Sequence, residues 1–207
     1  MRQGTDGRGA PKPEVGALLA HVGLWLVIAV SGNAQPAPAA ALMRRALPAD
    51  TVIAGVPCAK SGRAPAEFYI EGLRLAGCAL SRPFVEAGHA FGAGTWLDRN
   101  AAGVLWGAWL AHDTPLGGHT CRGDGYKKWS TRFHPNGRLA GCYLARDTII
   151  AGVPCMAGTF LREIRGGGRA SLALAADGRP LRCQAARDTV RDGVMIRKWT
   201  LVRLSPT

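Results

Sequence analysis

Apolar and polar residues alternate along this chain in short runs, and the runs are broken by Gly, Pro or Asp at recurring offsets. The clearest example is CYLARDTIIAGVPCMAGT, Cys142 to Thr159. Around it RLAGCYLA, TIIAGV and GTFLREI read as strands, separated by a turn at Arg146-Asp147 and a break at Pro154. Period-two alternation puts Cys142 and Leu144 on one face of the first strand and Tyr143 on the other. A helix would have to carry Gly and Pro through every turn, at roughly 1 to 3 kcal/mol each. Helix is therefore expected only in short stretches such as Pro65 to Tyr69.

Leu144, Asp147, Gly152 and Cys155 define a frame that recurs. It reappears as Leu47, Asp50, Gly55 and Cys58, as Leu80, Pro83, Gly88 and Phe91, as Leu110, Asp113, Gly118 and Cys121, and in worn form as Ala185, Asp188, Gly193 and Ile196. The frame glycines fall 33, 30, 34 and 41 residues apart, an interval typical of tandem repeats. The longest interval contains an extra piece around Gly166-Gly167-Gly168. The leucines mark the buried face, and the outward neighbours are Ala79, Trp109, Tyr143 and Gln184. The expected fold is all-β: one domain over residues 42–207, built of five units of short antiparallel strands in a meander, as an elongated sheet or irregular solenoid.

Between units, FHPNGRL (Phe133 to Leu139) and FYIEGL (Phe68 to Leu73) each place an aromatic residue, a turn with Gly, and a Leu that opens the next strand. These short segments resemble the hairpin of membrane occupation and recognition nexus (MORN) repeats and their bacterial variants. The resemblance implies tandem antiparallel hairpins and carries no ligand contact to any residue here.

The six cysteines occupy two frame positions only, a GC position (Cys78, Cys142, Cys183) and a VPC position (Cys58, Cys121, Cys155). The second unit has Phe91 at its VPC position, and the third has Ala108 at its GC position, so the two losses go together. Every cysteine finds a partner if the VPC residue of one unit bonds the GC residue of the next. The expected pairs are Cys58 with Cys78, Cys121 with Cys142, and Cys155 with Cys183.

Composition adds a compartment and a charge. Residues 1–34 read as a secretory leader, in which Arg2, Arg8 and Lys12 precede an apolar run from Ala17 to Val30, and Gly32-Asn33-Ala34 supplies small residues for cleavage. That run is shorter than the ~20 residues a bilayer core requires. No transmembrane segment is expected after cleavage; residues 35–41 form a flexible spacer, and the product is periplasmic or extracellular. Of the 26 basic and 14 acidic residues, three and two lie in the leader, which leaves a mature charge of +11. Such a balance favours an anionic envelope polymer, a membrane surface or an acidic protein as partner. Nucleic acid is not expected, because the basic residues are scattered and no nucleic-acid motif accompanies them.

Candidate chemistry is sparse. The recurring Asp-Thr pairs (Asp50, Asp113, Asp147, Asp188) sit at chain reversals, where the carboxylate is expected to cap its own backbone two residues on. His112, His119 and His134, with Cys121, are the metal-ligand types that crowd the third unit, but their spacing fits no compact zinc pattern. Arg122-Gly123-Asp124 spells an adhesion tripeptide that reads as a chance meeting of common residues. Trp96, Trp106, Trp109 and Trp129 crowd the second and third units, which lack the crosslink between them, either as core filling or as an aromatic platform. Trp106 and Trp109 differ in strand parity, so Trp109 is the one expected to face outward; Trp96, Trp109 and Trp129 are the candidate binding residues. No catalytic residue and no cofactor is expected. The first function class is an exported, non-catalytic binding or scaffold module in the cell envelope or extracellular space. The others are a carbohydrate-binding module using the tryptophans and a metal-dependent enzyme using the third-unit histidines.

Overall fold

A computed structural model describes residues 41–62, 64–124, 130–158 and 171–204, which lie in one compact unit, Pro38–Thr207. The leader, most of the spacer, Trp129 and residues 159–164 of the piece GTFLREI lie outside the described residues. Each of the five repeats contributes four strands. The first has β1 (Leu42–Arg45), β2 (Thr51–Ile53), β3 (Val56–Cys58) and β4 (Ala66–Tyr69). The second has β5 (Leu75–Ala79), β6 (Phe84–Glu86), β7 (His89–Phe91) and β8 (Trp96–Arg99), and the third has β9 (Leu105–Trp109), β10 (Thr114–Leu116), β11 (His119–Cys121) and β12 (Ser130–Phe133). The fourth has β13 (Leu139–Cys142), β14 (Thr148–Ile150), β15 (Val153–Cys155) and β16 (Leu172–Leu174), and the fifth has β17 (Pro180–Gln184), β18 (Thr189–Arg191), β19 (Val194–Ile196) and β20 (Leu201–Arg203).

The outer strands of every repeat join one ten-stranded antiparallel sheet in the order β1-β4-β5-β8-β9-β12-β13-β16-β17-β20, and the inner two form a separate hairpin. The hairpins fold over one face of the sheet. The tip of the second reaches the turn between β12 and β13, where His89 Nε2 lies 2.9 Å from the Gly137 carbonyl. A Cβ on Gly117, in the third hairpin, would sit 3.3 Å from the Leu139 Cβ. The core fills the space between sheet and hairpins, with Leu47, Leu80, Leu110 and Leu144 all buried in it.

The hairpin strands are shorter than the sequence suggests. TIIAGV holds two strands, because Ala151 (φ 46°) and Gly152 (φ 76°) form the turn between them, and Pro154 lies inside β15 opposite Ile149. All five hairpins turn this way, through Ala54-Gly55, Ala87-Gly88, Gly117-Gly118, Ala151-Gly152 and Asp192-Gly193. Two successive positive φ angles are the type I′ signature, which matches strand twist. The stretch Pro65 to Tyr69, expected as helix, is extended into β4, with a 3-10 turn following at Glu71–Leu73.

The three disulfides are those expected: Cys58 to Cys78, Cys121 to Cys142 and Cys155 to Cys183. Backbone bridges Cys58 to Leu80, Cys121 to Leu144 and Cys155 to Ala185 accompany them, so each of these hairpins is tied to the following repeat twice. Where the crosslink is missing, Phe91 and Ala108 are both buried in the core, and the Phe91 ring meets Phe133 edge-on at 6.0 Å. A large ring and a small neighbour thus occupy the place of a cystine.

Candidate binding surface

A β-bulge recurs at each of the four junctions where the last strand of one repeat turns into the first strand of the next. Leu75 and Gly77 face Phe68 and Glu67, so Ala76 is the extra residue; Trp106, Ala140 and Leu181 are its counterparts. The bulge shifts parity by one residue. It corrects the expectation that Trp106 and Trp109 face opposite ways, because the Arg132 guanidinium lies 4.2 Å from the Trp106 ring centre and 5.8 Å from that of Trp109. Trp106 is also the more exposed of the two, at 42 %.

Past the bulge, the register aligns one residue from each of the ten strands in a single row across the sheet. The row runs Arg44, Glu67, Gly77, Asp98, Gly107, Arg132, Gly141, Ala173, Arg182 and Arg203. Its residues have opposite parity to the buried Cys78, Leu97, Ala108 and Thr131 beside them, so the row lies on the face turned away from the hairpins. Glycine is required at two of these sites. A Cβ on Gly77 would lie 2.8 Å from Trp96 Nε1 and 2.9 Å from the Leu97 carbonyl, and one on Gly107 would lie 2.8 Å from an Arg132 Nη1. The side chains of Trp96, Asp98 and Arg132 thus lie across the glycines of neighbouring strands.

Trp96 is only 4 % exposed and donates its indole N–H to Asp98 Oδ1 at 2.7 Å. Tyr69 donates its hydroxyl to the Arg99 carbonyl at 2.8 Å. Burial, and then the Asp98 charge, push the Tyr69 phenol above its ordinary value. The row is asymmetric in charge: Glu67 and Asp98 lie in its first half, and Arg132, Arg182 and Arg203 in its second. Arg44 offsets Glu67 through an ion pair of 3.2 Å.

The histidines do not converge. His112 is exposed, and its carbonyl accepts from the Thr114 hydroxyl. His119 is half-buried on β11, where burial holds its imidazole below the ordinary value. His134 Nε2 lies 3.0 Å from the Leu174 carbonyl. Among the described residues no three His, Cys, Asp or Glu side chains are grouped to hold a metal ion. In the tripeptide Arg122-Gly123-Asp124, Arg122 Nη1 donates to the Gly158 carbonyl across the junction with the fourth repeat, and the Gly123 N–H donates to Asp113 at the base of its own hairpin.

The frame aspartates also act differently from the expectation. Oδ1 of Asp50, Asp113, Asp147 and Asp188 accepts the backbone N–H ten residues on, from Lys60, Gly123, Ala157 and Lys198. Each closes the base of its hairpin instead of capping a local turn. The local bond belongs to the threonine, as Thr51, Thr114 and Thr148 donate to the carbonyl two residues back.

No protein family matches the chain, and neither a curated protein nor a solved structure is similar to it.

Proposed function

We propose that the chain is an exported, non-catalytic repeat module that binds an anionic partner through the outer face of its long sheet. The observation that carries this reading is the cross-sheet row. From Arg132 to Arg203 it spans five strands and carries three arginines; Arg132 lies beside Asp98 over Gly107, so the net positive charge of the strip rests on Arg182 and Arg203. Sheet spacing of about 4.8 Å makes this a strip roughly 20 Å long, long enough to follow an extended polymer or a protein segment. Three disulfides fit an oxidising compartment. The groups that recur in the frame have structural employment: cystines close repeat junctions, and aspartates and threonines hold hairpin bases.

The test is equilibrium binding of the exported chain to polyglutamate, polygalacturonate and anionic vesicles, which represent an acidic protein, an envelope polymer and a membrane surface. Binding to at least one weakens as salt rises from 50 to 200 mM. No binding at either salt, or a hydrolytic activity that disappears with His119→Ala, overturns the reading.

A second reading rests on Trp106. It is an exposed indole with a guanidinium stacked on it, an arrangement that also receives sugar rings. In that case neutral oligosaccharides bind, salt has little effect, and Trp106→Ala abolishes binding where Trp109→Ala only weakens it.

A further inference from the structure

The last strand pair of the long sheet sets two arginines against each other. Arg182 on β17 faces Arg203 on β20, and next to them Cys183 faces Val202 and Gln184 faces Leu201. The Leu204 N–H donates to the Leu181 carbonyl and the Ala185 N–H to the Thr200 carbonyl. Counting from these bonds, Arg182 and Arg203 form a non-hydrogen-bonded pair, the class in which facing Cα atoms approach to about 4.5 Å and side chains lie closest. Like charges directly opposite are destabilising. Among the described residues neither arginine takes part in an ion pair. Arg182 is half-buried and Arg203 exposed.

The repeat frame makes this juxtaposition specific to the final unit. At the position of Arg182 the three preceding units have Gly77, Gly107 and Gly141. Each preceding return strand has Glu67, Asp98, Arg132 or Ala173 where β20 has Arg203. Two facing guanidinium groups supply two planar forks of N–H donors. One fork saturates a carboxylate, which has only two oxygens; a phosphoryl group has three or four and accepts from both forks.

We infer that Arg182 and Arg203 clamp a phosphoryl group, carried as a phosphate monoester or present as inorganic phosphate. The inference rests on the reading that this face binds anions and names the chemistry of one end of it. The rival explanation is that arginines on an open edge merely prevent sheet-to-sheet pairing. Lysine would serve that purpose equally, whereas a clamp needs the planar fork.

The experiment is thermal unfolding of the full chain in rising inorganic phosphate, glycerol 3-phosphate or chloride at matched ionic strength. It is run on the wild type, on Arg203→Ala and on the double variant Arg182→Lys/Arg203→Lys. Phosphate also stabilises proteins by exclusion from their surface, so the quantity read is the difference between wild type and variant. The wild-type Tm rises several degrees more in either phosphate than the Arg203→Ala Tm does, and the double lysine variant loses at least half of that excess. A larger effect of glycerol 3-phosphate identifies the ester as the bound form, a larger effect of inorganic phosphate identifies the free ion, and equal effects show that the phosphoryl group alone is recognised. If wild type and Arg203→Ala respond alike, if the double lysine variant keeps the full excess, or if chloride matches phosphate, there is no clamp. Salt-sensitive polyglutamate binding that persists alongside such a result overturns the clamp alone and leaves the wider reading standing.

Discussion

At the scale of single residues, the hairpin bases depend on a hydrogen bond that spans ten positions. Asp147 Oδ1 accepts the Ala157 N–H at 2.7 Å, and the same bond recurs in three other repeats. Asp147→Ala removes the acceptor while the donor remains accessible to water, so the expected cost is about 1 kcal/mol. In a domain of this size that appears as a fall in Tm of about 2 to 4 °C by calorimetry. The Lys198 N–H, and next the Arg197 guanidinium, hold the Asp188 carboxyl below its ordinary value of 3.8. A depressed carboxylate contributes stability that is complete above its unfolded value and is lost as pH falls through the folded one. Acid titration of Tm below pH ~4 should therefore be shallower for Asp188→Asn than for the wild type. The Asp-Thr recurrence was visible in the sequence, but the ten-residue reach was not, because it depends on the hairpin folding back to its own base. Phe91 and Ala108 were legible as a matched loss; that a phenyl ring would fill the vacated volume follows only from the packing.

At the scale of elements, two local devices separate the observed strands from the pattern of apolar residues. Ala54, Ala87 and Ala151 hold φ angles of 48°, 49° and 46° at the first turn position. Left-handed backbone costs an L-residue roughly 1 to 2 kcal/mol, and Asn tolerates it better. Ala151→Asn should stabilise the protein by about 0.5 to 1 kcal/mol, read as a higher denaturant midpoint with unchanged m-value. Alanine gives no turn signal, which is why TIIAGV reads as one strand when only the following glycine marks the reversal. The second device is the bulge at Ala76, Trp106, Ala140 and Leu181, which no residue preference announces and which turns Trp106 to the face of Trp109. Gly77→Ala drives a methyl against the Leu97 carbonyl, a backbone atom that cannot step aside. A loss of roughly 1 to 3 kcal/mol is expected, larger than for Gly92→Ala, where no atom lies within 4 Å. The disulfides enclose 20, 21 and 28 residues, and loops of that length correspond to roughly 3 kcal/mol each in the chain-entropy treatment. Replacing Cys155 and Cys183 together with alanine should remove about that much and loosen the last repeat first, which hydrogen exchange of β17 and β20 amides resolves.

At the scale of the whole molecule, the repeat gives the sheet two unlike surfaces. One is covered by five hairpins and holds the core; the other carries the charged row and the Trp106, Trp109 and Arg132 stack. The frame, the cystine pairing and the all-β class were readable because each repeats, so that one copy checks another. The outer face was not, because its pattern arises between strands distant in sequence: Asp98 and Arg132 meet over Gly107 only once bulge and register are fixed. Charge counted along the chain points to an anionic partner as a proposal but says nothing of the face that would meet it. Removing three positive charges from either surface separates these alternatives. Arg132, Arg182 and Arg203 lie on the sheet row, whereas Arg82, Arg146 and Arg187 are exposed at the hairpin bases. The direct measurement is the Kd for polyglutamate at 50 mM salt of two triple variants, each with its three arginines changed to glutamine. The sheet-row variant should bind at least tenfold more weakly than the wild type, and the hairpin variant within about twofold of it. Equal losses in the two variants, or a larger loss in the hairpin variant, would contradict an anion-binding sheet face.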